Sequence, residues 1–228
     1  GYYSAVKAGS AYFDSQMRSA FILSKLTRGD EALLLLDRIA IGSERETMEV
    51  CRAKGEILVE QKRYGEAMEV FDDGLKVTKN EELLYARAML GEKLGRIDIV
   101  ERDLRAILED DPENAQALNA LGYTLADRTE RYDEAYTLIE KALELDPESF
   151  YILDSMGWVL YRLGRLDEAI KYLKLARDLK NDPEVVSHLG EVLWVSGNPQ
   201  AAQEVWNSGL EAHPNAEKIL DVIKRFKP

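Results

Sequence analysis

Residue types that build common functional sites are scarce in this chain of 228 residues. Its one cysteine, Cys51, excludes an internal disulfide framework and a cysteine-based zinc site. Its two histidines, His188 and His213, are too few for a histidine-based metal site. We therefore expect neither a metal nor a cofactor.

Long hydrophobic runs are also lacking. The longest, Ala32–Leu36, is far shorter than the roughly 20 apolar residues with which a helix crosses a bilayer. No secretory signal opens the chain, yet Gly1 begins in the middle of a pattern. We interpret the chain as a fragment, so the missing signal excludes little.

Positive charge is in deficit, with 30 Lys and Arg against 42 Asp and Glu and a net charge of −12. A surface of this sign repels phosphate backbones, and no basic stripe compensates locally. We therefore expect no nucleic acid among the partners.

Catalytic motifs are missing as well: no G-x-S-x-G, H-E-x-x-H, Walker loop or G-x-G-x-x-G occurs. Cys51 lies at a helix-packing position without a recognisable base partner, so we do not expect a nucleophile there. His188 lies beside packing residues, and we interpret it as a structural histidine. The sequence predicts a protein that is not an enzyme.

The sequence contains a repeat instead. Gly122, Gly157 and Gly190 are separated by 35 and 33 residues. The small or apolar residues that follow them at matching offsets are Ala135, Ile139 and Ala142; Ala169, Leu173 and Ala176; and Ala202, Trp206 and Gly209. Small residues let two antiparallel helices approach closely, while large ones fill the grooves between helices. A period near 34 residues with this pattern is typical of the tetratricopeptide repeat (TPR).

This pattern predicts an all-α superhelical TPR solenoid of about six helix–turn–helix repeats plus a C-terminal capping helix. The predicted repeats are residues 11–46, 47–80, 81–114, 115–149, 150–182 and 183–214. Residues 1–10 would be the tail of a preceding repeat or a linker, and residues 215–228 the capping helix. Gly95, Gly164 and Gly197 fall between the two helices of their repeats, where a helix end favours a residue with positive φ.

Function in such a solenoid is expected on the concave face, which the first helix of each repeat lines. Helical spacing gives a candidate protein-binding set: Tyr85, Asn119, Tyr123, Tyr151, Asp154, Trp158, Tyr161, Arg162, Glu191 and Trp194. Five of these are aromatics of the last three repeats, and buried aromatics are common binding hot spots. Packing between repeats is the alternative role for several of them.

Acidic residues accompany the aromatics on the same predicted wall: Asp127, Asp154, Glu184 and Glu191, with Arg162 among them. We expect this mixed but negative wall to attract a partner that carries basic residues. The alternative is that the acids serve solubility alone.

Residues 115–214 are more specific than a generic TPR. The segments ALNALGYTLADRTERYDEAYTLIEKALELDP, ILDSMGWVLYRLGRLDEA and SHLGEVLW resemble the C-terminal part of TPR lipoproteins of Gram-negative outer membranes. This resemblance implies a location on the periplasmic side of the outer membrane, with a cytoplasmic location as the alternative. The lipid-bearing cysteine of that family would precede Gly1 and would not be Cys51.

The resemblance also implies a function. The best-known kind of that family is an adaptor that captures cell-wall hydrolases and presents them to a carboxyl-terminal processing protease, and so limits the cutting of peptidoglycan. Protein clients and a periplasmic protease are therefore the expected partners, with a membrane contact only through the missing lipid anchor. A general scaffold for complex assembly and a regulatory TPR region of a larger enzyme remain as alternatives.

Overall fold

The computed structural model of the protein describes residues 10–226. Residues 1–9 of the predicted tail or linker (1–10) and residues 227–228 of the predicted capping helix (215–228) lie outside them. The described residues form thirteen α-helices and no strand. The first six helices are α1 Ser10–Lys25, α2 Gly29–Leu36, α3 Glu44–Glu60, α4 Tyr64–Val77, α5 Glu81–Lys93 and α6 Ile97–Asp110. The last seven are α7 Ala115–Arg128, α8 Tyr132–Leu145, α9 Phe150–Arg162, α10 Leu166–Leu179, α11 Pro183–Val195, α12 Pro199–Ala212 and α13 Glu217–Phe226. The predicted all-α fold is confirmed.

The chain divides into two compact units, residues 1–107 and residues 108–228, with the division inside α6. In the first unit α1 packs against α2 and α3 against α4. In the second unit α7 packs against α8, α9 against α10 and α11 against α12, and α13 packs on the last pair. Among the described residues, no helix is both long enough and apolar enough to span a membrane.

Glycines let the two helices of a pair approach each other. A Cβ atom on Gly157 would lie 2.5 Å from Cγ of Leu173, and one on Gly190 would lie 1.9 Å from Nε1 of Trp206. Gly55 has the same relation to Phe71. Each large side chain therefore fills the space that the missing Cβ leaves, which is the packing that the repeat pattern predicts.

The turns between the two helices of a pair contain the predicted glycines in some pairs and other residues elsewhere. Gly95, Gly164 and Gly197 have φ of 68°, 77° and 87°, which confirms the prediction. In the first two pairs the corresponding positions are Thr27 and Lys62, with φ of 59° and 60°. The backbone of these two residues is in the left-handed region, which residues other than glycine adopt less often. A sequence pattern that marks the turns by glycine therefore misses them.

An ion-pair network lies between α4, α5 and α6 of the first unit. Arg87 donates two hydrogen bonds to the carboxylate of Asp103, at 2.7 and 2.8 Å, and one to Asp72 at 2.6 Å. Asp103 is 1% exposed, so these donors take the place of solvent around its carboxylate. Arg102 donates a further hydrogen bond to it from the surface.

The terminal helix α13 is amphipathic. Ile219 and Val222 are buried, while Asp221, Lys224 and Arg225 are exposed. Such a helix covers the apolar end of the last repeat and presents a polar side to solvent, as the sequence predicts for a cap.

Candidate functional site

Nine of the ten predicted binding residues lie on α7, α9 and α11, which are the first helices of the three helix pairs in the second unit. The tenth, Tyr85, is half-buried on α5 of the first unit. The structure does not place the nine in one open trough. It divides them between a buried polar cluster, a pocket and two peripheral aromatic contacts.

The buried cluster joins α7, α9 and α11. Nδ1 of His188 lies 3.0 Å from both carboxylate oxygens of Asp154, and both residues are buried. The imidazole ring stacks on the indole of Trp158, with ring centroids 4.2 Å apart, and lies 6.2 Å from the ring of Tyr123. His188 therefore contacts both Asp154 and Trp158, and these two residues are buried, so they present little surface to a partner.

Burial of His188 disfavours its charged form, but the carboxylate of Asp154 outweighs that effect, and the pKa of the imidazole is raised above its ordinary value. The pair of His188 and Asp154 lies against the aromatic face of Trp158. The interpretation of His188 as a structural histidine agrees with these contacts.

Tyr123 bridges the first and last repeats of the unit. Its hydroxyl group donates a 3.4 Å hydrogen bond to Glu184, 61 residues away, and Glu184 also forms an ion pair with Lys218 of α13. These contacts connect α7, α11 and α13, and open space lies further along the helices.

That space is an open pocket of about 490 Å³, which we name the α9 pocket. Its lining residues are Asp127, Trp158, Tyr161, Arg162, Glu191 and Arg225. They come from the C-terminal ends of α7 and α9, from α11 and from α13. Four of the ten predicted residues thus meet at one place.

Hydrogen bonds fix the walls of the α9 pocket. Glu191, 5% exposed, accepts a 2.5 Å hydrogen bond from Arg225 and a 3.4 Å bond from the hydroxyl group of Tyr161. Burial, followed by the charge of Glu191, raises the pKa of Tyr161. Arg162 donates to the hydroxyl group of Tyr132 at 2.6 Å and to the main-chain oxygen of Asp127 at 3.3 Å.

The expected negative wall is corrected by these contacts, because each of its four acids has a basic neighbour. Asp154 pairs with His188, Glu191 with Arg225, Glu184 with Lys218 and Asp127 with Arg128. Opposite charges at these distances cancel most of the field that would attract a basic partner.

The remaining predicted residues lie apart from the α9 pocket. The half-buried Trp194 packs on Trp206 and Phe226, both with ring centroids at 5.8 Å. Tyr151, 41% exposed, meets Phe150 edge-on. Asn119 is buried, and its Oδ1 has no hydrogen-bond donor among the described residues.

The first unit has its own cavities on the faces of α1, α3 and α5. One of about 410 Å³ is lined by residues that include Met17, Phe21 and Arg52, and one of about 390 Å³ by residues that include Val59 and Met89. These five side chains belong to α1, α3 and α5. Tyr85 is not among the lining residues of either cavity.

Sequence reasoning missed the importance of His188 and Arg225. A signal was present: Asp154 and His188 are 34 residues apart, and so are Glu191 and Arg225. Residues one period apart occupy equivalent positions on the corresponding helices of successive repeats, such as α9 and α11. Residues of opposite charge at that spacing are therefore candidates for contact. Among the described residues, no group of three or more His, Cys, Asp or Glu side chains could hold a metal ion.

Comparisons with known protein sequences find the tetratricopeptide repeat. Two sequence models described as tetratricopeptide repeat match residues 85–150 and 128–187. The TPR repeat-containing protein PA4667 of Pseudomonas aeruginosa is 42% identical over 190 residues, which are 83% of this chain and 32% of that protein. The chain therefore spans about a third of the length of this relative.

Solved structures resemble the fold. A thermophilic TPR protein of Thermus thermophilus superimposes with a TM-score of 0.65 and 25% identity, over 81% of this chain and 97% of that one. A tetratricopeptide repeat protein of Parabacteroides merdae superimposes with a TM-score of 0.72 and 16% identity, over 93% and 91% of the two chains.

Proposed function

Starting from a chain that carries tetratricopeptide repeats, we propose that its second unit is a protein-binding module that captures a segment of a client protein at the α9 pocket. The observation that carries the proposal is the pocket itself. An indole and a phenol ring, two guanidinium groups and two carboxylates surround one open space on the first helices of consecutive repeats. Tyr, Trp and Arg are the side chains most enriched at binding hot spots.

The finer proposal is an adaptor of the bacterial envelope. In it, the chain captures cell-wall hydrolases and presents them to a carboxyl-terminal processing protease on the periplasmic side of the outer membrane. The support is the resemblance of residues 115–214 to outer-membrane TPR lipoproteins. We propose no catalytic role for the chain and no cofactor.

Binding variants should alter exposed pocket residues rather than the buried cluster. Trp158 is 7% exposed and stacks on His188, so its truncation would disturb packing together with binding. Tyr161 and Arg162 are half-buried, and their outer atoms face the open space. The variant Tyr161→Ala/Arg162→Ala is therefore the informative one. Arg165→Ala is its matched control, because Arg165 pairs with Glu168 outside the pocket.

The experiment measures binding of a purified cell-wall hydrolase and of a purified processing protease to the immobilised chain by biolayer interferometry. We expect Tyr161→Ala/Arg162→Ala to weaken binding of the hydrolase at least about tenfold, as loss of a hot spot does, while Arg165→Ala binds as the wild type. Equal binding of the hydrolase by the wild type, by Tyr161→Ala/Arg162→Ala and by Arg165→Ala would contradict capture at the α9 pocket.

The alternative functions give other results in the same experiment. A general scaffold would bind proteins without increasing cleavage of the hydrolase by the protease. A regulatory region of a larger enzyme would bind neither, and a catalytic domain would be present in the full gene.

A further inference from the structure

Two of the predicted binding residues on α11 are already bound by α13 of the same chain. The guanidinium group of Arg225 donates a 2.5 Å hydrogen bond to Glu191, which is 5% exposed. The next residue, Phe226, packs on Trp194 with ring centroids 5.8 Å apart. Arginine and aromatic side chains are common anchors of a binding partner. Here α13 supplies both of them to the inner face.

The other end of α13 is held on α11 in a similar way. Lys218 forms an ion pair with Glu184, and the hydroxyl group of Ser187 donates a 3.3 Å hydrogen bond to the main-chain oxygen of Lys218. Between the two ends, Ile219 fills the space above Gly209, where a Cβ atom would lie 2.9 Å from its Cδ1. The surface beneath α13 therefore accepts a helix with a defined order of side chains: Lys, an aliphatic residue, and Arg followed by an aromatic residue.

The attachment of α13 is limited in extent. Two of its ten residues, Ile219 and Val222, are buried. Lys218 and Arg225, which form the ion pairs, are 58% and 59% exposed. A helix of this length is marginal in water by itself, so α13 depends on the surface beneath it. Local opening of such an element costs less free energy than unfolding of the whole unit.

The position of α13 also sets the charge of the α9 pocket. Arg225 is one of the two basic residues in the lining, and it balances Glu191. When α13 leaves, the buried carboxylate of Glu191 loses this cationic partner. A buried charge without a partner costs free energy, so the uncovered surface favours a segment that brings a new positive charge.

We propose that α13 is an exchangeable helix, and that the surface beneath it binds a partner helix that presents the same basic, aliphatic and aromatic side chains. In the closed state α13 blocks this surface, and the partner helix displaces it. The exchange regulates access to the α9 pocket, and in this respect the inference rests on the proposed function. A partner with basic residues is therefore admitted after α13 has left.

The test uses the full chain and a synthetic peptide of residues 215–226, with fluorescein at its N-terminus and an amide at its C-terminus. Binding is measured by fluorescence anisotropy at pH 7. Arg225→Glu in the full chain replaces the ion pair with repulsion from Glu191, which releases its own α13. Lys224→Glu is the matched control, because it reverses the same charge at the neighbouring position, where Lys224 is 74% exposed and pairs with Asp221 of the same helix.

We expect the wild type and Lys224→Glu to bind the peptide weakly, because the tethered α13 competes at an effective concentration on the order of 1 mM. Arg225→Glu should bind it at least about tenfold more tightly, since Glu191 is then available to the arginine of the peptide. A peptide that itself carries Arg225→Glu should bind this variant at least about tenfold less tightly than the original peptide.

Phe226→Ala is a second variant that changes no charge. It removes the aromatic contact with Trp194 and should also increase binding of the original peptide. Far-ultraviolet circular dichroism checks that each variant retains its helices, and Phe226→Ala replaces Arg225→Glu if the latter does not fold.

The proposal would be overturned if the folded variants bound the peptide no more tightly than the wild type and Lys224→Glu. Equal binding of the two peptides by Arg225→Glu would overturn the basic chemistry assigned to the partner. No hydrolase is present in this assay, so exchange of α13 can fail while client capture at the α9 pocket holds, and the hydrolase experiment judges capture separately.

Discussion

The close fit of Gly190 against Trp206 gives the sharpest prediction for stability. In Gly190→Ala the new Cβ atom would lie 1.9 Å from Nε1, 2.4 Å from Cε2 and 2.5 Å from Cδ1 of the indole. Carbon atoms in ordinary contact are about 3.5 Å apart, so the ring must move by about 1 Å or more. Trp206 is 1% exposed and stacks on Trp194 and Phe226, which leaves it little room.

Overpacking a core typically costs about 1–3 kcal/mol, and the rigid ring places Gly190→Ala near 3 kcal/mol. Gly157→Ala is the matched comparison. Its Cβ would meet Leu173, which can change rotamer, so we expect about 1 kcal/mol. The assay is urea unfolding followed by tryptophan fluorescence. All three tryptophans lie in the second unit, so the signal reports that unit.

A double-mutant cycle tests the cause. Trp206→Phe replaces the indole with a smaller ring, so it should be less harmful in the Gly190→Ala background than alone. The reasoning would be refuted if Gly190→Ala unfolded at the wild-type urea concentration, or if the two substitutions were additive.

Three further predictions concern single side chains. The pKa of His188 is raised, so its ion pair with Asp154 stabilises the fold fully below the unfolded-state pKa of about 6.5 and is lost as pH rises through the folded-state pKa. The stability advantage of wild type over His188→Gln, measured by urea unfolding, should therefore shrink as pH is raised above about 6.5. Arg87→Met, followed by circular dichroism, should cost about 3–5 kcal/mol, because it leaves the buried carboxylate of Asp103 with one surface partner. Asn114→Ala should cost about 1 kcal/mol in thermal or urea unfolding, since Asn114 caps α7.

Each of these three has an outcome that would contradict it. For His188 it is a stability difference that stays constant or grows as pH rises. For Arg87 it is a loss below about 1 kcal/mol, which would mean that Arg102 alone compensates the buried charge. For Asn114 it is an equal loss in Asn114→Asp, which retains a capping oxygen.

The predicted site shows where sequence reasoning stops. Helical spacing placed Trp158, Tyr161 and Glu191 on the inner face, and they do meet at the α9 pocket. Spacing could not tell that Asp154 is covered by His188, or that Trp194 belongs with Trp206. Those outcomes depend on which side chain of a neighbouring repeat fills the space between two helices, and a single helix carries no information about it.

The sequence by itself determined the all-helical repeat, because the offsets between Gly157, Ala169 and Leu173 encode contacts inside one helix pair, close along the chain. It also determined the terminal helix, whose apolar face is visible in its own residues. Only the tertiary structure decided the charge of the inner face and the place of the pocket. Arg225 reaches Glu191 across a full repeat, and Tyr123 reaches Glu184 across nearly two. Such contacts depend on how successive repeats pack, which local patterns along the chain do not specify.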